Sequence, residues 1–510
     1  QGNQVRYYGP VGELIEGMGY FVRRLLENSA NGSFLRRFNT DATPLELLAA
    51  PSPILKNTDL TIASPVSQTS RSYFGWLAKW WPFGNKNSHP NNSKPILATA
   101  EDDASFQNHP TPEWHKEDAR ITMYQALAAA AKQKDRTYAL IIDGKEVHTG
   151  QYLNSYNPSI DSIIKEQHTS IPLGRVALGG QREIQHALDA AEKRFTAWST
   201  TTPQTRAEYG FKFAKKLVEQ QHDFAALICL EMGKPPREAY ADVAEAIDFC
   251  NYYATQMIEL ARPKHTQRLA GERNVSHYRP RGPMVAINPV NFFAIAVGQS
   301  VAPLIAGNTV ITKPSLDNPL CLAKFVQLTR ECDLPVGVLN YVVCEDKDAH
   351  HLTESSKIHK VLFTGSVTVG TSIYETVAKR SPTQTHLRSA ICEMGGKNAI
   401  IIDDDADIDR AVQGTLYSAF GYAGQKCSAN SRTIIHAYVY DLFVEKMIEA
   451  TRSLRVGNAG DHTTDIGPLI NHTSFIKTTS LIDEAIRARA KPVHLGMRFG
   501  NAGYYVGPTI

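Results

Sequence analysis

Residues 284–314 read MVAINPVNFFAIAVGQSVAPLIAGNTVITKP. A short apolar run, 284–287, breaks at Asn288-Pro289; an apolar segment follows, and a second run, 309–312, ends at Lys313-Pro314. Strand, helical segment and strand, with Pro or Gly at the junctions, is the pattern of a parallel βαβ unit. A membrane span is excluded, because Asn288, Pro289, Asn291, Gln299, Pro303 and Gly307 interrupt the stretch. A spanning helix needs about 18 uninterrupted apolar residues.

The alternation continues outward. Strand-like runs at 338–343, 360–363 and 399–402 are separated by helical segments at 319–332 and 369–380. Upstream, 181–197, 206–230 and 238–260 carry helical spacing of apolar residues. The expected class is therefore α/β with helices on both faces of a parallel sheet. No internal repeat is present. Residues 5–38 form a short amphipathic helical piece, and 39 to about 110 have the Ser, Asn, Pro and Thr content of a linker. Within it, Tyr73, Phe74, Trp76, Leu77, Trp80, Trp81 and Phe83 hold three of the chain's five tryptophans. Such a segment suits a membrane interface, a groove on the protein itself, or a disordered insertion.

With 510 residues the chain exceeds one hydrophobic core, so two or three domains are expected. Apolar residues at 42% and charged residues at 21% are ordinary for a globular protein. A net charge of +3 gives no concentrated basic face for nucleic acid. The seven cysteines lack metal-ligand spacing, and an odd number argues against a disulfide framework. Free thiols fit a reducing, cytoplasmic setting and no metal site. The chain opens at Gln1 without a signal segment and stops at Gly507-Pro508-Thr509-Ile510, which reads as an internal fragment of a longer protein.

Several short motifs could carry chemistry. In Gly424-Gln425-Lys426-Cys427-Ser428-Ala429 a thiol sits among small and polar residues, where a thiolate can be exposed; a lone cysteine in such a stretch is more often an inert core residue than a nucleophile. Glu393-Met394-Gly395-Gly396-Lys397-Asn398 reads as a turn that brings backbone close beside a carboxylate, or as a plain turn. Asn291, in apolar company, needs partners and serves either as a cap or as an oxyanion donor. Lys313 at one strand end and Phe363-Thr364-Gly365-Ser366 at another sit where open α/β sheets bind ligands, although a surface Lys and an ordinary turn would look the same. No G-x-G-x-x-G is present, which counts against a standard Rossmann enzyme.

Taken together, from about Tyr138 to Ile510, these motifs resemble the aldehyde dehydrogenase superfamily, which binds its dinucleotide without that fingerprint. Glu231-Met232-Gly233-Lys234, residues 241–249 (ADVAEAIDF) and residues 420–429 (FGYAGQKCSA) resemble the Δ1-pyrroline-5-carboxylate dehydrogenase branch. The resemblance implies a Rossmann-like cofactor domain, 115–392, with a β-flap near 266–280 through which relatives form oligomers, and a C-terminally truncated α/β catalytic domain, 393–510. It implies that Cys427 attacks the aldehyde, that Asn291 and the Cys427 N–H hold the oxyanion, and that Glu393 activates water against the thioester left after hydride transfer. Lys313, Ser366 and Gly365, with Ile287 and Pro289 lining the crevice, would hold NAD; NADP remains open, because Leu316 stands where NAD-specific relatives often place a Glu. Ser428 would contact the substrate carboxylate. The implied reaction is oxidation of glutamate γ-semialdehyde to glutamate, with another semialdehyde or a catalytically inactive binding module as alternatives. The family's Pro-Trp-Asn-Phe-Pro stands here as Pro289-Val290-Asn291-Phe292-Phe293, and its Glu-x-Phe-Gly-Pro element would follow residue 509.

Tyr20, Arg23 and Arg24 share one helix face, where Arg forks suit a carboxylate. Residues 20–28 (YFVRRLLEN), followed by 33–36 (SFLR), resemble the last helix of the flavin-dependent proline dehydrogenase barrel. Residues 1–38 would be a remnant of that barrel and 39–114 a partly disordered linker, the arrangement of the bifunctional proline utilization family. FAD would belong only to the absent barrel.

Overall fold

The computed structural model describes residues 106–510 apart from 134–135, 165–166, 267–270, 272, 381, 383 and 500–501. The helical piece carrying Tyr20, Arg23 and Arg24, the aromatic segment 73–83 and most of the linker lie outside the described residues. Residues Asn108–Ile510 form one compact unit.

Its centre is a seven-stranded sheet built from β1 (Leu140–Ile142), β2 (Lys145–Val147), β3 (Met284–Ile287), β4 (Val310–Lys313), β5 (Leu339–Tyr341), β6 (Lys360–Gly365) and β7 (Ser389–Met394). The spatial order is β7-β6-β3-β4-β5-β1-β2. The five strands from β7 to β5 are parallel, and β1 and β2 join antiparallel at one edge. Every residue of β4 is buried, as a parallel strand covered on both faces requires.

Helices α1 (Glu117–Lys132), α2 (Gln181–Ser199), α3 (Pro203–Glu219), α4 (Gln221–Met232) and α5 (Pro236–Leu260) precede β3. Helix α6 (Phe293–Ile305) links β3 to β4, α7 (Pro319–Glu331) links β4 to β5, and α8 (Val367–Ala378) links β6 to β7. Phe224 stacks on Phe293, and Phe325 meets Phe293 and Phe213 edge-on, so α3, α4, α6 and α7 share one aromatic core. Such ring pairs add about 0.5–1.5 kcal/mol each beyond area burial.

Three readings need correction. The single helix expected over 206–230 is two, divided at Gln220 (φ −113°, ψ 17°); both bury a face in the same core, so apolar spacing runs through the break. The run at 399–402 is not in the main sheet. As β8 (Asn398–Ile402) it pairs in parallel with β9 (Asn430–Ile435) in a separate two-stranded sheet. Glu393, read as part of a turn, lies on β7. That strand is only half-buried, and so lacks the continuous apolar run that marked its neighbours.

Around β8 and β9, Ile402, Val412, Phe443 and Met447 form a second core with α9 (Ile408–Phe420) and α10 (Tyr440–Arg452). In the region of the expected β-flap, Lys264–His265 pairs antiparallel with Val275–Ser276. Of the expected linker, Asn108 Nδ2 and the His109 N–H both donate to the Asp248 carboxylate on α5, each at 2.7 Å. Among the described residues no helix is long and apolar enough to cross a membrane.

Candidate active site

From β3 the chain winds through β4 and β5 on one side, then crosses over to β6 and β7 on the other. This reversal opens a crevice beyond the carboxyl ends of the strands. Register places Lys313 beside Ile287, Ile287 beside Phe363 and Phe363 beside Cys392, with Thr364 and Glu393 paired one step further on. Of the residues singled out in sequence, Ile287 and Lys313 therefore stand in one row, Glu393 lies one step beyond it, and Gly365 and Ser366 lie two and three steps beyond it.

Lys313 is 3% exposed. Its acceptors among the described residues, Pro314 O and Asp346 Oδ1, both lie at 3.4 Å. Contacts that long leave a buried ammonium with donor capacity for a hydroxyl, so the site fits a ribose. Gly365 ends β6, and Ser366 caps α8, its Oγ accepting from the Val369 N–H at 3.3 Å. The first turn of α8 thus presents a positive helix end at the crevice, a fit for phosphate. Pro289 lines a small pocket with Asn288, Pro314, Ser315 and Asn318. Asn288 Nδ2 donates to Thr312 Oγ1 at 2.7 Å and Lys313 O at 3.0 Å, pinning the loop after β3 to β4.

Beyond α9 the chain makes a strained turn. Tyr422 and Ala423 adopt φ of 49° and 53°, left-handed values that cost a non-Gly residue about 1–2 kcal/mol each. Surrounding contacts hold it: the Tyr422 N–H donates to Glu238 at 2.9 Å and its hydroxyl to Met232 O at 2.7 Å. Five residues on, half-buried Cys427 is followed by half-buried Ser428. Gln425 fastens the approach, donating through Nε2 to Tyr422 O and Pro468 O while its Oε1 accepts the Ile470 N–H. Asn291 Nδ2 donates to Gln425 O at 2.9 Å, which brings the expected oxyanion donor onto the cysteine loop. Asn398 Nδ2 donates to Cys427 O at 2.7 Å and Ala429 O at 3.1 Å, joining the loop after Glu393 to the same place.

Lys426, next to the thiol, pairs with Glu238 at 2.9 Å. Burial opposes the Lys426 charge, but Glu238 and Tyr417 together outweigh it and hold the ammonium above the usual lysine range. Sequence reasoning missed the roles of Glu238, Lys426, Gln425 and Asn398, and those of Lys234 and Asp242 described below. A signal existed: Glu238, Asp242, Glu245 and Asp248 recur at three-to-four spacing on one face of α5, and the last three are buried. Carboxylates on a buried helix face need partners.

Burial pushes the other six thiols up: Cys332, Cys344 and Cys392 to about 11, and Cys229, Cys250 and Cys321 further. Thiolate is the reactive form. Brief iodoacetamide treatment at neutral pH is expected to alkylate Cys427 ahead of the six, as peptide mapping would read; uniform labelling or prior labelling of Cys392 would contradict this.

The aldehyde dehydrogenase family profile matches residues 156–510, and the proline dehydrogenase profile matches residues 1–37. The chain is 41% identical over 388 residues to 1-pyrroline-5-carboxylate dehydrogenase 2 of Bacillus subtilis, covering 76% of this chain and 74% of the relative. A crystal structure of 1-pyrroline-5-carboxylate dehydrogenase from Thermus with bound NAD superposes with TM-score 0.75 at 36% identity, covering 79% of this chain and 77% of that one. Proline utilization A (PutA) from Bdellovibrio bacteriovorus superposes with TM-score 0.76 at 33% identity, covering 98% of this chain and 48% of that one. With a profile spanning residues 156–510 and relatives this similar over three quarters of their length, the chain belongs to the aldehyde dehydrogenase family.

Proposed function

We propose that the chain oxidises L-glutamate γ-semialdehyde, formed from Δ1-pyrroline-5-carboxylate, to L-glutamate with reduction of NAD, the second step of proline catabolism. The observation that carries the reading is the bond from Asn291 Nδ2 to Gln425 O, which sets an amide donor against the loop of a half-buried thiol. The substrate follows from the relatives named for it.

Cys427 attacks the aldehyde carbon, and the carbonyl oxygen becomes an oxyanion. One Asn291 N–H is held by Gln425 O, which leaves the other, with the Cys427 N–H, to stabilise that charge. Nicotinamide dinucleotide, when bound, would supply the hydride acceptor; Lys313 would hold its ribose, Gly365 and Ser366 its phosphates, and Ile287 and Pro289 would form the crevice wall. Glu393 then takes a proton from water, which attacks the Cys427 thioester and frees the carboxylate product. Ser428 receives the carboxylate at the far end of the substrate. The acceptor is NAD, and Leu316 places no carboxylate against NADP.

The domain boundaries in this reading are 1–38 for a segment of the proline dehydrogenase type, in which Tyr20, Arg23 and Arg24 serve a carboxylate, 39–114 for a linker, 115–392 for the cofactor domain and 393–510 for the catalytic domain. FAD would belong to a proline dehydrogenase barrel. The protein is a cytoplasmic homo-oligomer that assembles through the flap near 266–280.

Spectrophotometric NAD reduction tests the substrate. The semialdehyde is expected to exceed propionaldehyde in kcat/KM by at least about 10-fold, the worth of one charge-assisted hydrogen bond to the amino-acid end. Equal rates would remove the substrate assignment and leave a general aldehyde dehydrogenase.

A further inference from the structure

Lys234 and Asp242 lie between the two loops that meet at Cys427. Lys234 is 1% exposed and Asp242 2%, and they pair at 2.6 Å. Gly233, in the left-handed conformation (φ 70°) at the end of α4, turns the chain so that Lys234 can enter the interior; a Cβ there would lie 2.7 Å from Pro468. Asp242 also accepts the N–H groups of Phe293 at 3.1 Å and Ala294 at 2.8 Å, the first two of α6. These directly follow Asn291 and Phe292.

The ammonium of Lys234 faces two rings as well. It lies 3.9 Å from the centroid of Phe292, the residue after Asn291, and 4.8 Å from that of Tyr422, in the strained turn leading to Cys427. One ion pair therefore grips the Asn291 loop through two backbone N–H groups and a ring, and the cysteine turn through a second ring.

Stability alone does not account for these charges. A buried ion pair is often no better than apolar side chains of the same volume. Apolar side chains, however, can neither fix two helix N–H groups nor draw two ring faces onto one point. We propose that the Lys234–Asp242 pair is a positioning device that sets the separation of the Asn291 amide and Cys427. The proposal rests on those two residues carrying the chemistry.

The test is the double variant Lys234→Met/Asp242→Asn, which removes both charges, keeps approximate volume and leaves an acceptor for α6. It is measured beside the unaltered protein and Cys427→Ser. Thermal midpoint and NADH affinity, read by fluorescence, are expected to stay near those of the unaltered protein. Loss of alignment is expected to lower kcat by about 10- to 100-fold, with KM changed much less. A folded double variant with kcat within twofold of the unaltered protein overturns the proposal. If that variant does not fold, Phe292→Leu carries the test, since it removes one ring face and leaves the ion pair. Its kcat is expected to fall about tenfold at unchanged NADH affinity; unchanged kcat overturns the proposal. Full activity in Cys427→Ser would instead overturn the assignment of the nucleophile, a separate failure.

Discussion

Glu393→Gln is expected to release one burst of NADH per active site and then turn over about 10²–10⁴-fold more slowly than the unaltered enzyme. The two halves of the reaction make different demands on this side chain. Attack by Cys427 and oxidation to the thioester need the thiol, the oxyanion donors and the dinucleotide. Hydrolysis needs a base for water, and a carboxamide of the same shape cannot accept that proton. Glu393 sits on β7 in register with Thr364 of β6, so its backbone is held by the sheet rather than by a mobile loop. The substitution keeps size, and the strand pairing involves only main chain, so the fold should be retained. Rapid mixing with absorbance detection reads the burst and the slow phase together. Loss of the burst itself would place Glu393 in the first half-reaction and refute its assignment as the hydrolytic base.

Cys427→Ala should abolish both phases. Removing a covalent nucleophile that works as one unit with its base has cost on the order of 10⁶ in kcat in hydrolases. Nothing else among the described thiols can substitute, since burial pushes the other six up and five of them are buried. Removal of one Sγ from a half-buried loop position leaves Gln425, Asn398 and the strained Tyr422 turn intact. NADH should therefore bind the variant as it binds the unaltered protein. Activity above about 1% of the unaltered enzyme in kcat would be far outside what loss of such a nucleophile allows.

The crevice was readable in the sequence because strands there end abruptly. Pro289 after β3, Pro314 after β4 and Gly365-Ser366 at the end of β6 mark where the sheet stops, and register then puts Lys313, Ile287 and Phe363 in one row. Lys313, read as a strand end, is the last residue of β4 and stands in the crevice. β7 escaped notice because a half-buried edge strand shows neither strict alternation nor an apolar run. Gln425 could not be assigned from its neighbours, since its side chain is fixed by Pro468 and Ile470, more than forty residues away. The carboxylates of α5 did leave a pattern, but spacing alone does not name their partners: α6 for Asp242, the cysteine turn for Glu238, and residues 108–109 for Asp248. Resemblance supplied the roles of Cys427, Glu393 and Asn291. Geometry adds what holds them: a strained turn pinned by Glu238, an amide tethered by Gln425, and a buried ion pair between the two loops.

The central claim is that a covalent acyl intermediate forms on Cys427. Mass spectrometry of Glu393→Gln, quenched in acid after mixing with NAD and glutamate γ-semialdehyde, tests it most directly. The expected result is one added glutamyl group on the peptide containing Cys427, dependent on NAD and removed by hydroxylamine. An unmodified Cys427 peptide after a full NADH burst, or the adduct on any other cysteine, would contradict it.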